Sequence, residues 1–242
     1  MENIHLVSFA DGPFQARAAG FKKEAESLDL FTSISVFDWA TLSTDFADAH
    51  GDFALNNPRG FGYWIWKPQV TLQVMENSKP GDIIVYMDVG FELNSCGRYR
   101  FLEYCKLAKS NVYQQLAFSN THTEYRWTKQ DLAGRLNLAA DSPEMLSTQL
   151  AAGFFILINN EENKKLVRLW RDIAVEQNYH FSDDSPSSQP NHEQFIEHRH
   201  DASIFSLLRK IKGTFVTHYE VQKYPHFDSI KQQLPAWASR KK

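Results

Sequence analysis

Two short runs, Ile83–Met87 (IIVYM) and Phe154–Ile158 (FFILI), are apolar almost throughout, and this pair constrains the fold more than any other feature. Successive residues of a strand point to opposite faces, so a strand with no polar face must be covered on both sides. That describes the middle of a largely parallel sheet with helices packed on each face. A membrane helix is ruled out by length. The longest apolar stretch, Leu150–Ile158 (LAAGFFILI), has nine residues, against the roughly 20 that a helical span needs.

Four more strand-like runs, Ile4–Phe9, Ile34–Trp39, Val112–Phe118 and Thr214–Tyr219, are rich in β-branched and aromatic residues. Helical periodicity lies between them: Phe14, Ala18, Phe21, Ala25 and Leu28 share one face, and Leu166, Leu169, Trp170 and Ile173 share another. The alternation predicts an α/β protein with a mainly parallel central sheet flanked by helices. With 242 residues, 43% of them hydrophobic, the chain is expected to form one domain over residues 1–242, with 221–242 as a C-terminal tail segment. The net charge of -3 supplies no basic face for nucleic acid, so a small molecule is the expected partner. The N-terminal MENIHLVSFADG has no leader pattern, and Cys96 and Cys105 match no metal or disulfide spacing. Both point to the cytoplasm.

Ligands of open α/β sheets sit outside the carboxyl ends of the strands. Asp88 follows IIVYM at such an end, with Gly90 two positions on; an aspartate there also caps turns. Upstream, RGFGYWIWKP (residues 59–68) places Lys67 next to Pro68, a residue suited to the first turn of a helix. A cation beside free backbone N–H groups makes an anion site, while the neighbouring aromatics also read as core cover. Downstream, His198, His200 and Asp201 in HRHDASIFSLL are zinc-type donors whose spacing matches neither a finger nor HExxH. Asp201 equally reads as the N-cap of a helix over Ala202–Lys210. Ser182–Asn191 (SDDSPSSQPN) is a polar, proline-punctuated loop, a lid or a surface connection.

In the order of these elements the chain resembles glycosyltransferases of the GT-A fold, and more closely the bacterial surface-polysaccharide enzymes distantly similar to the glycogenin-like group. The resemblance rests on LVSFADG with Arg17, YWIWKP, VYMDVG, QLAAGFFILINNEENKKLVRLW and HRHDASIFSLL, spread over most of residues 4–220. It implies transfer of a sugar from a nucleotide-sugar donor, a UDP-sugar foremost, to a hydroxyl of a glycan or lipid-linked acceptor in surface polysaccharide or lipopolysaccharide biosynthesis. It further implies Ser8, Phe9, Asp11, Arg17, Tyr63, Trp66, Lys67, Asp88 and Gly153 at the donor, and Asp201 as the catalytic carboxylate. Asp88 and His218 would bind a divalent metal, Mn or Mg. Two departures stand out: Gly90 replaces the second acidic residue of the family's Asp-x-Asp motif, and Ala202 follows Asp201 where the family has glutamine. Metal-free operation, with Lys67, Arg17 or another cation facing the diphosphate, therefore stands beside the metal-assisted route. So does a module that binds a nucleotide sugar or glycan without turning it over. The tail Trp237–Lys242 combines a tryptophan with basic residues, a composition suited to peripheral membrane contact.

Overall fold

The computed structural model describes residues 3–222 and 227–241; Lys242, the end of the basic tail, lies outside them. Its strands are β1 (Ile4–Phe9), β2 (Ser33–Phe37), β3 (Ile83–Met87), β4 (Glu92–Leu93), β5 (Gln115–Thr123), β6 (Thr148–Leu150), β7 (Phe154–Ile158), β8 (Phe215–His218) and β9 (Ala236–Trp237). The central sheet has the order β2-β1-β3-β7-β5-β6, and β8 also pairs with β5. β1, β2, β3, β5 and β8 run in one direction, and only β6 and β7 are reversed, so the sheet is mostly parallel.

The apolar strands take the central positions that their composition requires, and each face of the sheet has its own core. On one face Val7, Ile84, Tyr86, Phe155 and Leu157 pack with Val70, Trp170 and Phe205, from helices Trp66–Glu76, Glu161–Tyr179 and His200–Lys212. On the other, Leu6, Ile83, Val85, Phe154 and Ile156 pack with Phe21, Phe101 and Tyr104, from helices Gln15–Ser27 and Arg98–Ser110. Odd and even residues of β3 and β7 thus serve opposite cores, which is why neither strand carries a polar face. No helix among the described residues is long and apolar enough to cross a membrane.

One sequence expectation needs correcting. FFILI was read as a parallel strand, but β7 is antiparallel to both β3 and β5. Burial on two faces requires cover, not a direction, so composition cannot report the reversal. The consequence is functional: the amino end of β7 meets the carboxyl end of β3. Met87 pairs with Phe154, and just beyond that pair the Asp88 N–H donates to the carbonyl of Gly153 at 2.8 Å.

The C-terminal segment folds back onto the sheet's rim. β9 pairs antiparallel with β4, Glu92 opposite Trp237 and Leu93 opposite Ala236. The Asn94 side-chain amide donates to the carbonyls of Lys231 at 3.2 Å and Leu234 at 3.0 Å. At Gly97 a Cβ would stand 2.1 Å from the backbone carbon of Leu234, so only glycine admits the tail this closely. Gly97→Ala should therefore loosen the tail without opening the sheet. Amide exchange at Asn94 and Lys241, bonded to Pro235 and Gly90 respectively, should accelerate while β3 amides keep their protection. Unchanged exchange at both amides would show that the tail seats without this contact.

Candidate active site

Lys67 lies in the first turn of helix Trp66–Glu76, two residues after its N-cap Ile65, beneath the carboxyl end of β3. Its ammonium is 2.9 Å from Asp201 Oδ2 and 3.3 Å from Asp88 Oδ1, and it donates to the carbonyl of Ala152 at 3.4 Å. The lysine and Asp201 are buried, with side chains 4% and 5% exposed, whereas Asp88 is 39% exposed. Asp88 is thus the group that presents this charge cluster to solvent. Its Oδ1 also accepts from the Tyr86 hydroxyl at 2.8 Å. Tyr86 precedes Asp88 by two residues on one face of the strand, so the alternation that buries its ring aims its polar tip at the carboxylate.

Burial alone would lower the Lys67 pKa, but the carboxylates of Asp201 and Asp88 outweigh it and hold the group above its usual range. For Asp201 burial dominates: its carboxyl is pushed up to about 6 although Lys67 pulls the other way. Burial and the adjacent Asp88 charge raise the Tyr86 hydroxyl well above its ordinary value. The cluster therefore contains a permanent cation, a carboxylate at the surface and a second carboxyl that titrates near neutrality. Such paired but unlike carboxylates are a common mark of a site that does chemistry.

Gly153 closes one side. A Cβ there would lie 2.7 Å from Asp88 Oδ2, so glycine is what lets the carboxylate stand upright at the rim. Beside Asp201 the backbone is strained. Gly60, Phe61, Gly62, Tyr63 and Trp64 all have positive φ (59°, 54°, 84°, 53° and 61°), as does His200 at 52°. Each non-glycine residue in this state costs on the order of 1–3 kcal/mol and persists only where packing imposes it. The turn sets the rings of Tyr63 and Trp64 at 5.0 and 5.4 Å from that of His200. Arg59 at its start pairs with Asp184 at 3.0 Å and Glu197 at 3.2 Å.

The other residues expected at the donor are distributed differently. Ser8 and Phe9 are buried in β1, and Phe9 stacks on Trp66 at 3.9 Å; Trp66 Nε1 donates to the carbonyl of Gly60 at 3.0 Å. Asp11 accepts from the backbone N–H of Gly12 at 2.7 Å and of Trp39 at 3.1 Å, tying the ends of β1 and β2 together. Arg17 is buried, donating to Glu24 at 2.5 Å and to the carbonyl of Phe91 at 2.7 Å. It supports the loop after Asp88 from below, and its guanidinium is not directed at Asp88.

The residues present do not fit a divalent ion. Asp88 already faces an ammonium at 3.3 Å, which would repel a dication. Gly90 offers no side chain, and its carbonyl is taken by Lys241 and Ser239. His218 ends β8 opposite Ser119, two residues before Glu220, which is held by Arg100 and Tyr104. No cluster of three metal-ligating side chains occurs among the described residues, so no third side-chain ligand joins the Asp88 and His218 expected from the resemblance. The zinc-type histidines are likewise spent on the backbone: His198 Nε2 donates to the carbonyl of Phe181 at 2.8 Å and His200 Nδ1 to that of Ser182 at 2.7 Å. Burial drives the His198 pKa well below its usual value and that of His200 down to about 4, so both stay neutral anchors.

Those anchors hold the polar loop that the sequence left open as lid or connection. Asp131 accepts from the backbone N–H groups of Ser188 at 2.6 Å and Gln189 at 2.9 Å, and the Lys129 ammonium reaches Asp183 and Ser185. The loop is fastened and forms a wall beside His200. A cavity of about 530 Å³ lies elsewhere, lined by Val112, Gln114, Asn160 and Gly213 among others. It opens at the amino ends of β5 and β8, the wrong end of the strands for a ligand of an open α/β sheet, whereas the Lys67 cluster stands at the carboxyl end of β3.

No family model matches the chain, and no curated protein does. Among solved structures the chain is similar to a glycosyltransferase involved in glycosylation of the major capsid of PBCV-1. The TM-score is 0.53 at 11% identity, covering 97% of this chain and 91% of that one. It is also similar to mouse xyloside xylosyltransferase 1, with TM-score 0.50 at 11% identity over 98% and 97% of the two chains. At this identity the likeness defines the fold: the chain has the GT-A fold of glycosyltransferases, with the Lys67 cluster at the carboxyl end of its sheet.

Removing Lys67 leaves two carboxyl groups without their counter-ion. Lys67→Met should destabilise the protein by about 3 kcal/mol near neutral pH, the scale for breaking a buried pair. The loss should shrink in acid. Without Lys67 the folded pKa of Asp201 rises further above its unfolded value, and an acid shifted this way stabilises the fold when protonated and loses that contribution as pH rises through the folded pKa. Urea unfolding of parent and variant at about pH 5 and about pH 8 checks this. An equal deficit at both values would uncouple Asp201 from Lys67.

Proposed function

We propose that the protein is a glycosyltransferase that moves a sugar from a nucleoside-diphosphate sugar to a hydroxyl group. The observation that carries the reading is the Lys67 ammonium bridging Asp88 and Asp201 at the carboxyl end of β3 in a GT-A sheet, where ligands of such sheets bind. In this reading the bond between the anomeric carbon and the β-phosphate oxygen breaks, and its electron pair leaves on the diphosphate. The acceptor oxygen forms the new bond to the same carbon, and its proton passes to the ionised Asp201. Asp201, beside the donor sugar, also offsets positive charge growing at the anomeric carbon. Asp88 with Gly153 forms the rim against which the donor rests, and Tyr86 fixes the direction of the Asp88 carboxylate. Lys67 is a positioning residue that holds both carboxylates in place. Fixed charge aimed at the changing charge is the largest catalytic term such a site offers.

The donor is read as a UDP-sugar and the acceptor as a glycan or lipid-linked glycan of surface polysaccharide, on the resemblance of the motif order alone. A binding module without turnover draws its support from Gly90, which removes the second carboxylate of the motif. Purified protein incubated with a panel of nucleotide sugars separates the two. Release of free nucleoside diphosphate marks the transferase, and thermal stabilisation without release marks the binder.

Asp88→Asn should cut release by about 100-fold or more, in line with loss of one preorganised electrostatic group, and should lower the melting temperature less than Lys67→Met does, because Asp88 is 39% exposed and Asp201 still pairs with Lys67. Normal turnover in that variant would remove Asp88 from the reaction. The raised pKa of Asp201 sets a pH limb: the group is protonated below about 6 and ionised above it. Turnover that needs the carboxylate should therefore fall as pH drops through 6. Asp201→Asn should lose activity together with this limb, whereas an unchanged limb in the variant would assign it to another group.

A further inference from the structure

The C-terminal tail crosses the place where an Asp-x-Asp motif carries its second carboxylate. The Gly90 carbonyl accepts from the Lys241 N–H at 3.0 Å and from the Ser239 hydroxyl at 3.1 Å. A Cβ on Gly90 would stand 3.4 Å from the Cα of Arg240. The two hydrogen bonds flank Arg240 and hold it in a left-handed conformation, φ 56°, which arginine seldom adopts. The result is an exposed arginine whose backbone is fixed against Gly90, two residues after Asp88, with no hydrogen-bond or ion-pair partner for its guanidinium among the described residues.

A second arginine, Arg199, lies two residues before Asp201. Its guanidinium lies over the Trp127 ring at 4.1 Å and pairs with Glu197 at 3.3 Å, while its buried Nε has no acceptor. Burial lowers the Arg199 pKa, and the charges of Arg59 and Arg240 add to this against Glu197. Arg240, fixed on Gly90 two residues after Asp88, and Arg199, two residues before Asp201, thus stand by the two carboxylates that Lys67 bridges. Guanidinium groups with free donors, one beside each carboxylate, suit a multiply charged phosphate, which the planar guanidinium binds in bidentate fashion.

We propose that Arg240 and Arg199 clamp the diphosphate of the donor, so that the tail supplies the positive charge that an Asp-x-Asp pair would recruit as a metal ion. The inference rests on the glycosyl-transfer reading above. As the anomeric carbon–oxygen bond breaks, the electron pair settles on the β-phosphate oxygen, and the two guanidinium groups donate hydrogen bonds to it without giving up a proton.

The test is calorimetric binding of uridine diphosphate to the full chain in EDTA and then in excess manganese. Guanosine and cytidine diphosphates serve as alternative probes, and the matching nucleoside as the phosphate-free control. Arg240→Asn removes the cation and keeps a residue that tolerates positive φ; Arg240→Lys keeps the charge. Diphosphate should bind in EDTA, with less than about a twofold gain from manganese. Arg240→Asn should weaken it on the order of tenfold or more, leaving nucleoside binding unchanged, and Arg240→Lys should recover part of the loss. Binding that requires manganese, or Arg240→Asn binding diphosphate in EDTA as tightly as the parent, overturns the clamp and leaves glycosyl transfer standing. If none of the three diphosphates binds under either condition, the transferase reading falls and the clamp with it.

Discussion

An ammonium buried between two carboxylates organises this protein. Taking Lys67 out of water costs several kcal/mol and is tolerable only because Asp88 and Asp201 stand at 3.3 and 2.9 Å. The three elements that carry these residues, helix Trp66–Glu76, the end of β3 and the start of helix His200–Lys212, are thereby fixed to one point. One positive and two negative charges leave the cluster at net -1 when Asp201 is ionised. A nucleoside diphosphate approaching it meets repulsion unless further cations line the mouth. Arg240, fixed on Gly90, and Arg199, two residues before Asp201, stand nearby.

The sheet explains why the cluster is accessible. Reversal of β7 brings Gly153 opposite Asp88, and the absence of a side chain there leaves the carboxylate upright. Around this point the backbone is held in costly conformations at Phe61, Tyr63, Trp64 and His200. Hydrogen bonds from Asp131, Lys129 and the two buried histidines fasten the loop behind them. Rigidity at the base of a site is what electrostatic preorganisation requires.

Much of this was legible in the sequence because burial leaves a compositional trace. IIVYM and FFILI named the two central strands to the residue, and the carboxylate at the end of one of them, Asp88, belongs to the Lys67 cluster. Lys67 was found through Pro68, although it proved to be a buried partner of two carboxylates, where an open phosphate site had been anticipated. Strand direction left no trace, nor did the left-handed run at residues 60–64, since pattern reports cover and not handedness. Tyr86 was readable: it is the one polar-tipped residue of its strand, two positions from Asp88. Arg240 was not, because its relation to Asp88 depends on a tail that returns from far along the chain, and that return leaves its mark in Gly97 and Gly90.

The most direct test of the account is a crystal structure with a bound nucleoside diphosphate. The account predicts the diphosphate at the Asp88–Gly153 rim, facing Arg240 and Arg199, with Lys67 still bridging its two carboxylates. A diphosphate seated in the cavity near Gln114 and Asn160, or a cluster in which Lys67 has left Asp88 and Asp201, would contradict it.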